Sequence, residues 1–461
     1  MYAENIFGDL LSSLPIEELA EFIGEHTYGL WRPQKAWKKP IYIVDAEGVY
    51  LYDNTGRKYL DFSSQLMCSN LGHKNKLLIN AIIEQAQKLQ YISPMFACEI
   101  RAKATESLLK VLPENLKKIF YSTSGSEANE TALRIVRLYN SSSGKYKVIS
   151  RYSSYHGATA AANTLTGDWR RWFAEHVNTV PGVVYAPDAY CYRCPFNLRY
   201  PECGVQCVEY IDYIVKNEGN VAAVIVEPVV GTNGVLVPPK EYLPRLREIA
   251  DENSIFLIVD EVMSGWGRTG KMFAIEHWSV KPDILTTAKG CTGAYMPLGI
   301  TATSSRIAEY FEENIFVHGH TYTAHPIALA PLPVAIEEYK KLINSGHIQK
   351  VSNHLANRLN ELWSNHKCIG DIRGLGLFWA IEIVKNRRTK KPFNTRMDKA
   401  SMKPLMVDKI SNELMMKGVY LYGVVNHFIV APPLIITEKQ IDEGIDALDE
   451  ALKIADKEVE E

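Results

Sequence analysis

The sequence lacks the features that mark proteins of membranes or of nucleic acids. Its 51 basic and 53 acidic side chains give a net charge of −2, so no excess of positive charge favours nucleic acid or an anionic lipid surface. No apolar run reaches the roughly 18 residues of a membrane-spanning helix. Residues 1–22 carry acids where a secretory signal peptide carries basic charge. We therefore expect a cytoplasmic protein that contacts neither membranes nor nucleic acids.

Internal repeats and low-complexity tracts are also missing, which leaves a chain of ordinary globular composition. With 461 residues, 46% of them hydrophobic, the chain is long enough for more than one domain. Strands alternate with helices over residues 66–325, which predicts βαβ units and a mostly parallel sheet in a large α/β domain. We expect residues 1–65 to form an N-terminal segment and residues 326–461 to form a small α+β domain.

Cysteine is scarce except in one stretch, CYRCPFNLRYPECGVQC, which holds four of the eight cysteines: Cys191, Cys194, Cys203 and Cys207. Four thiols suit zinc or an iron–sulfur cluster. The second pair is spaced C-x3-C, however, and the loop between the pairs is short for a zinc ribbon. A disulfide is unusual in a reducing cytosol. We favour reduced thiols and predict no metal site, with metal binding as the alternative.

The most informative stretch is an apolar strand that ends in an acid. The segment IFLIVDEVM places Asp260 after five apolar residues, and the next strand-like segment, ILTTAKG, ends near Lys289. Ligands bind at the carboxyl ends of strands in open α/β sheets, so both side chains are expected to face one crevice. An acid that keeps a pyridinium protonated and a lysine that forms a Schiff base are the groups that pyridoxal phosphate requires. Taken singly, Asp260 could be a turn former and Lys289 a solvated residue.

A second ligand-binding feature precedes a helix in KKIFYSTSGSEANETALRIVRLY. Small residues before a helix leave backbone amides free, and the helix dipole adds positive potential there. The stretch therefore predicts a phosphate site. Capping of the helix by Ser124 or Ser126, with Glu127 in the first turn, uses the same amides and is compatible with it.

Several motifs follow one another in an order that resembles a known family: SGSEAN, SYHG, EPVVGTNG, LIVDEV, GRTG, TTAKG and HTYTAHP. Over roughly residues 30–450 they are similar to the class III (ω-amino acid) aminotransferases, which depend on pyridoxal phosphate and have fold type I. The stretches CYRCPF, PFNTR and VNHFIVAPPLIITEKQIDEG are most similar to taurine–pyruvate aminotransferases. The resemblance implies a small domain built from the C-terminal part and the N-terminal segment. It also implies a homodimer, possibly associating to a tetramer, with active sites at the subunit interface.

The resemblance also implies a role for individual residues. Lys289 would bind the cofactor aldehyde and then act as general acid and base, and Asp260 would pair with the pyridine nitrogen. The remaining implied cofactor contacts are Gly125 and Ser126 at the phosphate, Val262 and Tyr155 on the two ring faces, His156 and Glu227 near the ring, and Thr321 at the phosphate of the partner subunit's cofactor. Glu227, Tyr155 or His156 could equally be structural.

The substrate pocket departs from the family pattern. Many members place a tryptophan in the segment that reads SSQLMCSN, where this chain offers Met67, and many place an arginine shortly before APP, where residues 418–431 have none. We therefore take Trp31, Met67 and Arg170 as substrate-binding candidates. Arg170 could bind a sulfonate or carboxylate, or be structural.

These features support transamination by a ping-pong mechanism from a terminal amine to a 2-oxo acid. Taurine is the preferred donor and pyruvate the preferred acceptor, with β-alanine or 4-aminobutyrate as alternative donors. An aminomutase or a decarboxylating transaminase would use the same fold and cofactor. A non-enzymatic role is disfavoured because both Lys289 and Asp260 are present.

Overall fold

The computed structural model describes residues 15–460; the first 14 residues of the predicted N-terminal segment, and residue 461, lie outside the described part. The strands are β1 (Ile43–Glu47), β2 (Tyr50–Asp53), β3 (Lys58–Asp61), β4 (Leu116–Ser122), β5 (Lys147–Arg151), β6 (Val183–Ala186), β7 (Val221–Val226), β8 (Phe256–Asp260), β9 (Ile284–Thr287), β10 (Gly299–Ser304), β11 (Ile369–Leu375), β12 (Phe378–Asn386), β13 (Lys391–Pro392), β14 (Val419–Tyr420), β15 (Tyr422–Val424) and β16 (His427–Val430).

The helices alternate with the strands of the central part and dominate the C-terminal part. They are α1 (Ile16–His26), α2 (Ser64–Met67), α3 (Lys76–Lys88), α4 (Glu99–Leu109), α5 (Gly125–Tyr139), α6 (Ala160–Leu165), α7 (Trp169–Trp172), α8 (Glu175–Asn178), α9 (Gln206–Glu218), α10 (Tyr242–Glu252), α11 (Ser305–Glu313), α12 (Pro326–Leu329), α13 (Pro331–Asn344), α14 (His347–Asn365), α15 (Arg396–Ala400), α16 (Met406–Met416) and α17 (Glu438–Asp456). Between residues 15 and 460, none of them combines the length and hydrophobicity that crossing a bilayer requires.

The central sheet has seven strands in the order β4-β10-β9-β8-β7-β5-β6. Strand β10 runs antiparallel to both neighbours, and the other pairs are parallel. Strands β7 and β8 are buried along their whole length, as their continuous apolar sequences predict. The expected mostly parallel sheet is therefore confirmed.

Two smaller sheets lie beside the central one, and one of them joins the two ends of the chain. Strand β14 pairs in parallel with β3, so the N-terminal strands and the C-terminal part share the sheet β1-β2-β3-β14. The other sheet has the order β11-β12-β16-β15, with β13 on β12. This confirms the expected fold class, a large α/β part plus a smaller α+β part. The boundaries at residues 65 and 325 stay predictions.

Helix α5 is the element that connects the core to the functional edge of the sheet. Its Ala132, Ile135 and Val136 are buried in a cluster with residues of β5, β7 and β8. Full burial of an aliphatic side chain contributes about 1.5–3 kcal/mol, so α5 is held firmly on the sheet. Its N-terminus consequently has a defined position beside the carboxyl ends of β8 and β9.

Candidate active site

A cavity of about 440 Å³ lies at the carboxyl ends of β8 and β9, a suitable size for a small ligand. Eight of the twelve residues proposed from the sequence line it: Gly125, Ser126, Tyr155, His156, Glu227, Asp260, Val262 and Lys289. They lie between positions 125 and 289 of the chain. They line one cavity because β7, β8 and β9 are neighbours in the sheet.

Asp260 is the last residue of β8 and is only 2% exposed. Its Oδ2 accepts hydrogen bonds from His156 Nδ1 and from Asn129 Nδ2, each at 2.7 Å. Its Oδ1 accepts one bond, from the Val262 amide at 2.9 Å. These three donors orient the carboxylate and leave acceptor capacity on Oδ1.

Asn129 is a functional residue to which the sequence analysis assigned no role. Its Nδ2 also donates to the carbonyl oxygen of His156 at 2.8 Å, and its Oδ1 accepts from Thr286 Oγ1 at 2.7 Å. The carboxamide therefore links α5, β8 and β9 through one side chain. The available signal was spacing, since Asn129 lies four residues after Gly125 and so on the same face of the helix.

Glu227 follows β7 and contacts the loop that carries Tyr155. Its Oε1 accepts the Tyr155 amide at 3.0 Å and its Oε2 accepts the Gly231 amide at 2.8 Å. Burial, with a smaller contribution from the charge of Asp260, raises the pKa of Glu227 to about 7 against the opposing effects of His156 and of the two amide hydrogen bonds. Both amides are donors, so Glu227 fixes the cavity side of this loop in either protonation state.

Lys289 begins a short 3-10 turn just after β9 and has φ of 46°. A lysine in this left-handed region is strained, as residues at functional sites often are. Burial lowers the pKa of the Lys289 amine, and the charge of Arg170 adds to that effect against the opposing charges of Asp260 and Glu227. Within residues 15–460 its amine makes no hydrogen bond or ion pair. Lys289 is thus a free amine on the cavity wall with raised nucleophilicity at neutral pH.

The N-terminus of α5 forms the polar end of the cavity. Ser124 Oγ caps the helix by accepting the Glu127 amide at 3.2 Å, while the amides of Gly125 and Ser126 belong to the first turn, which has no intrahelical acceptor. A Cβ on Gly125 would lie 2.8 Å from Val262 Cγ1, so only glycine lets the helix start this close to β8. This end of the cavity fits a phosphate group.

The other four residues proposed from the sequence lie outside the cavity lining. Thr321 is exposed, and its carbonyl oxygen accepts a hydrogen bond from Tyr91 Oη at 3.0 Å. Met67 is buried in a cluster with Met263, which does line the cavity. Trp31 is 46% exposed and meets Trp169 edge to face at 6.5 Å.

Arg170 is a buried cation beside these residues. Its guanidinium lies over the rings of Tyr155 at 4.8 Å and Trp31 at 5.4 Å, and it forms an ion pair with Asp168. Burial alone would lower the pKa of Arg170, but Asp168, Tyr422 and Tyr155 outweigh it and the pKa is raised. Its Nε is buried and has no hydrogen-bond partner among residues 15–460. Arg170 therefore keeps both its charge and a free donor.

The donor set fits pyridoxal phosphate. Helix-start amides that can bind a phosphate, an oriented carboxylate and a free amine all line the same cavity. The bare chain thus presents a group for each polar part of the cofactor.

Comparison with known proteins gives concordant results. The family model described as Aminotransferase class-III matches residues 33–452. The putrescine–pyruvate aminotransferase of Pseudomonas aeruginosa is 35% identical over 87% of this chain and 88% of its own length. The leucine/methionine racemase of Thermococcus litoralis is 34% identical over 90% of each chain.

A solved structure shows the same likeness. The taurine:2-oxoglutarate aminotransferase of Bifidobacterium kashiwanohense, in complex with PLP and glutamate, superposes with a TM-score of 0.91 at 33% identity. The match covers 97% of this chain and 100% of that one. The fold class predicted from the sequence is therefore supported along nearly the whole chain.

Proposed function

Because the chain belongs to the class III aminotransferase family, and is thus an aminotransferase that depends on pyridoxal phosphate, we propose that its amine donor carries an acidic group at the far end. Taurine is the preferred donor, and a small 2-oxo acid is the acceptor. The proposed reaction is a ping-pong transfer in two halves. Pyruvate stays the preferred acceptor, and 2-oxoglutarate is the alternative suggested by the similar taurine:2-oxoglutarate aminotransferase.

When bound, pyridoxal phosphate supplies an electron sink for the carbon that carries the amino group. Asp260 Oδ1, with its free acceptor capacity, holds a proton at the pyridine nitrogen. Lys289 Nζ, whose pKa burial lowers, would take a proton from the amine-bearing carbon and deliver it to the former aldehyde carbon of the cofactor in the same half-reaction. The amides of Gly125 and Ser126 would bind the phosphate, and Val262 and Tyr155, which line the same cavity, would hold the ring between them.

The observation that carries the donor proposal is the buried cation of Arg170. Its charge reaches Lys289, because it contributes to lowering the pKa of that amine. Its free Nε can donate to a sulfonate or a carboxylate, and Trp31 and Tyr155 hold the guanidinium plane. A diamine such as putrescine presents a second cation instead and would be repelled by Arg170.

A panel of donors tests this reading. Wild type is assayed for kcat/KM with taurine, β-alanine and 4-aminobutyrate as acidic donors, with putrescine as a cationic donor and with benzylamine as a neutral one. We expect acidic donors to be preferred. Arg170→Gln should lose about 10- to 150-fold in kcat/KM for acidic donors, because a hydrogen bond to a charged group contributes about 1.5–3 kcal/mol. Benzylamine should be affected far less.

Arg171→Gln is the matched control, since Arg171 is the next residue but stacks over Tyr185 and pairs with Glu175. It should retain the wild-type preference. No turnover of taurine would refute the taurine assignment alone. A preference for putrescine, or an equal loss with all donors in Arg170→Gln, would refute the role of Arg170.

Isomerisation is the second candidate, because a racemase is among the similar proteins. Incubation of amino acids without any 2-oxo acid distinguishes it: a change of configuration or amino-group position without an acceptor would favour a racemase or an aminomutase. An absolute requirement for an acceptor supports the transaminase.

We also propose a homodimer in which Thr321 contributes to the partner's site. Exposed apolar side chains on this chain support it, among them Met95 at 91%, Ile315 at 83% and Tyr322 at 58% exposure. Light scattering should give about twice the chain mass of 52.0 kDa. A monomer of full activity would refute the shared site.

A further inference from the structure

A second cluster of chemically active side chains lies outside the active site. Four thiols from the segment 191–207, which we call the four-cysteine turn, line one small cavity between a short 3-10 turn at Cys191–Arg193 and the start of α9: Cys191, Cys194, Cys203 and Cys207. Most of the remaining wall is apolar, with Phe196 and Leu198 among its residues. The fold thus places all four cysteines of the C-x2-C…C-x3-C pattern in the wall of one cavity.

These four thiols differ from three of the four cysteines elsewhere in the chain; of those four, only Cys98 likewise has no carbonyl partner for its thiol in the part of the chain that the structure describes. Cys68, Cys291 and Cys368 each donate a hydrogen bond to a backbone carbonyl, at 3.6, 3.5 and 3.8 Å. The thiols of the four-cysteine turn have no such carbonyl partner among residues 15–460. They also line one and the same cavity. The turn therefore gathers thiols without satisfying them.

Another group of possible metal ligands shows the contrast. His366, Cys368 and Asp456 offer ligand atoms within 4.8 Å of one another. Their polar atoms are already paired, since His366 Nδ1 bonds Asp456 Oδ2 at 2.6 Å and the Cys368 amide donates to Asp456 Oδ1 at 2.9 Å. The ligand atoms of that group are thus already used in hydrogen bonds within the group and to its neighbours.

We propose that the four-cysteine turn binds a metal centre through cysteine thiolates, either a zinc ion or an iron–sulfur cluster. Both centres accept four cysteine ligands. No three of these sulfurs lie within 4.8 Å of one another, the spacing found for His366, Cys368 and Asp456. A single zinc ion therefore requires the cysteine side chains to rotate inward. An iron–sulfur cluster accepts a wider spacing of its ligands. This reverses the preference for free thiols that the sequence alone favoured.

Two features of the turn suit a metal. Cys207 is the second residue of α9, a 13-residue helix whose N-terminal dipole favours a thiolate. Cys191 is exposed and gives a path for the metal to enter.

The neighbours of the turn indicate a structural role. Arg193 Nε bonds Glu382 of β12 at 2.6 Å, and Lys390 Nζ bonds the Tyr192 carbonyl at 2.6 Å. On the other side, Asp188 accepts the Ser153 amide at 3.1 Å, two residues before Tyr155. A metal in the turn would therefore stabilise the contact between the smaller sheet and the large domain.

Metal analysis of the intact protein tests the proposal. Wild type, Cys194→Ser, Cys207→Ser and the control Cys98→Ser are purified anaerobically, and zinc, iron, acid-labile sulfide and bound cofactor are measured. Wild type and the control should contain about one zinc ion, or about four iron and four sulfide ions, per chain. Both variants of the turn should lose that metal, keep their cofactor and show a lower thermal midpoint.

A second measurement uses only wild type and tests the proposal even if the serine variants do not fold. Reduced, metal-free wild type is titrated with Co²⁺, whose d–d bands in a thiolate site lie at longer wavelengths than the cofactor absorbance. Such bands, with recovery of the thermal midpoint on adding zinc or on rebuilding the cluster, support the proposal. Metal-free wild type as isolated together with no thiolate bands in the Co²⁺ titration would overturn it, as would unchanged metal content in the serine variants.

Discussion

Replacing Asp260 with asparagine should abolish most turnover while leaving the fold and the cofactor content close to wild type. The substitution keeps the shape but removes the charge and turns one acceptor into a donor. Since His156, Asn129 and the Val262 amide all donate to Asp260, one of them then faces another donor. The lost interaction at the pyridine nitrogen adds to that cost.

The size of the expected loss follows from the burial of Asp260, whose exposed fraction is 2%. A hydrogen bond to a charged group contributes about 1.5–3 kcal/mol, and a buried group left unsatisfied costs about 1–3 kcal/mol. The lost charged hydrogen bond corresponds to a loss of roughly 10- to 150-fold in kcat at about 1.36 kcal/mol per factor of ten, while the unsatisfied donor lowers the stability of the folded chain.

The assay is single-turnover bleaching of the visible cofactor absorbance by the amine donor, followed over pH, together with steady-state kcat. Glu261→Gln is the matched control, because Glu261 is the adjacent buried acid but bonds Ser264 and the Ile275 amide, outside the cavity. It should lower stability more than kcat. If Asp260→Asn kept kcat within threefold of wild type, or if both variants lost the same activity, our account of Asp260 would be wrong.

Three further predictions concern other cavity residues. Stability should fall as pH rises from 4.5 to about 7, because folding raises the pKa of Glu227 and the folded chain then binds more protons than the unfolded one; in Glu227→Gln the thermal midpoint should fall less over this window, and an unchanged slope would contradict the shift. Gly125→Ala should weaken cofactor affinity, since its Cβ would lie 2.8 Å from Val262 Cγ1; a double-mutant cycle with Val262→Ala should show partial rescue, and additivity would argue against the clash. Lys289→Ala should retain the cofactor loosely and lose turnover by many orders of magnitude; borohydride should fix the cofactor to wild type but not to the variant, and labelling of the variant would identify another amine.

The sequence alone was enough for the family, the fold class and eight residues of the cavity wall. Continuous apolar runs such as those of β7 and β8 predict strands buried on both faces, whatever lies around them. The polar residues at or just after the ends of β8 and β9, Asp260 and Lys289, then line one cavity because parallel neighbours end at the same edge. The sequence pattern around these two residues was therefore sufficient to predict where they lie in the fold.

Contacts between distant segments depended on the tertiary structure. The support of Asp260 by Asn129 and His156 joins residues more than 100 positions apart, and no local pattern encodes such a pairing. The position of the Arg170 guanidinium between the rings of Trp31 and Tyr155 likewise needs the packing of the N-terminal segment. The chain by itself determined which groups were available, and folding decided which were paired, buried or left free, because burial and hydrogen bonding depend on neighbours in space.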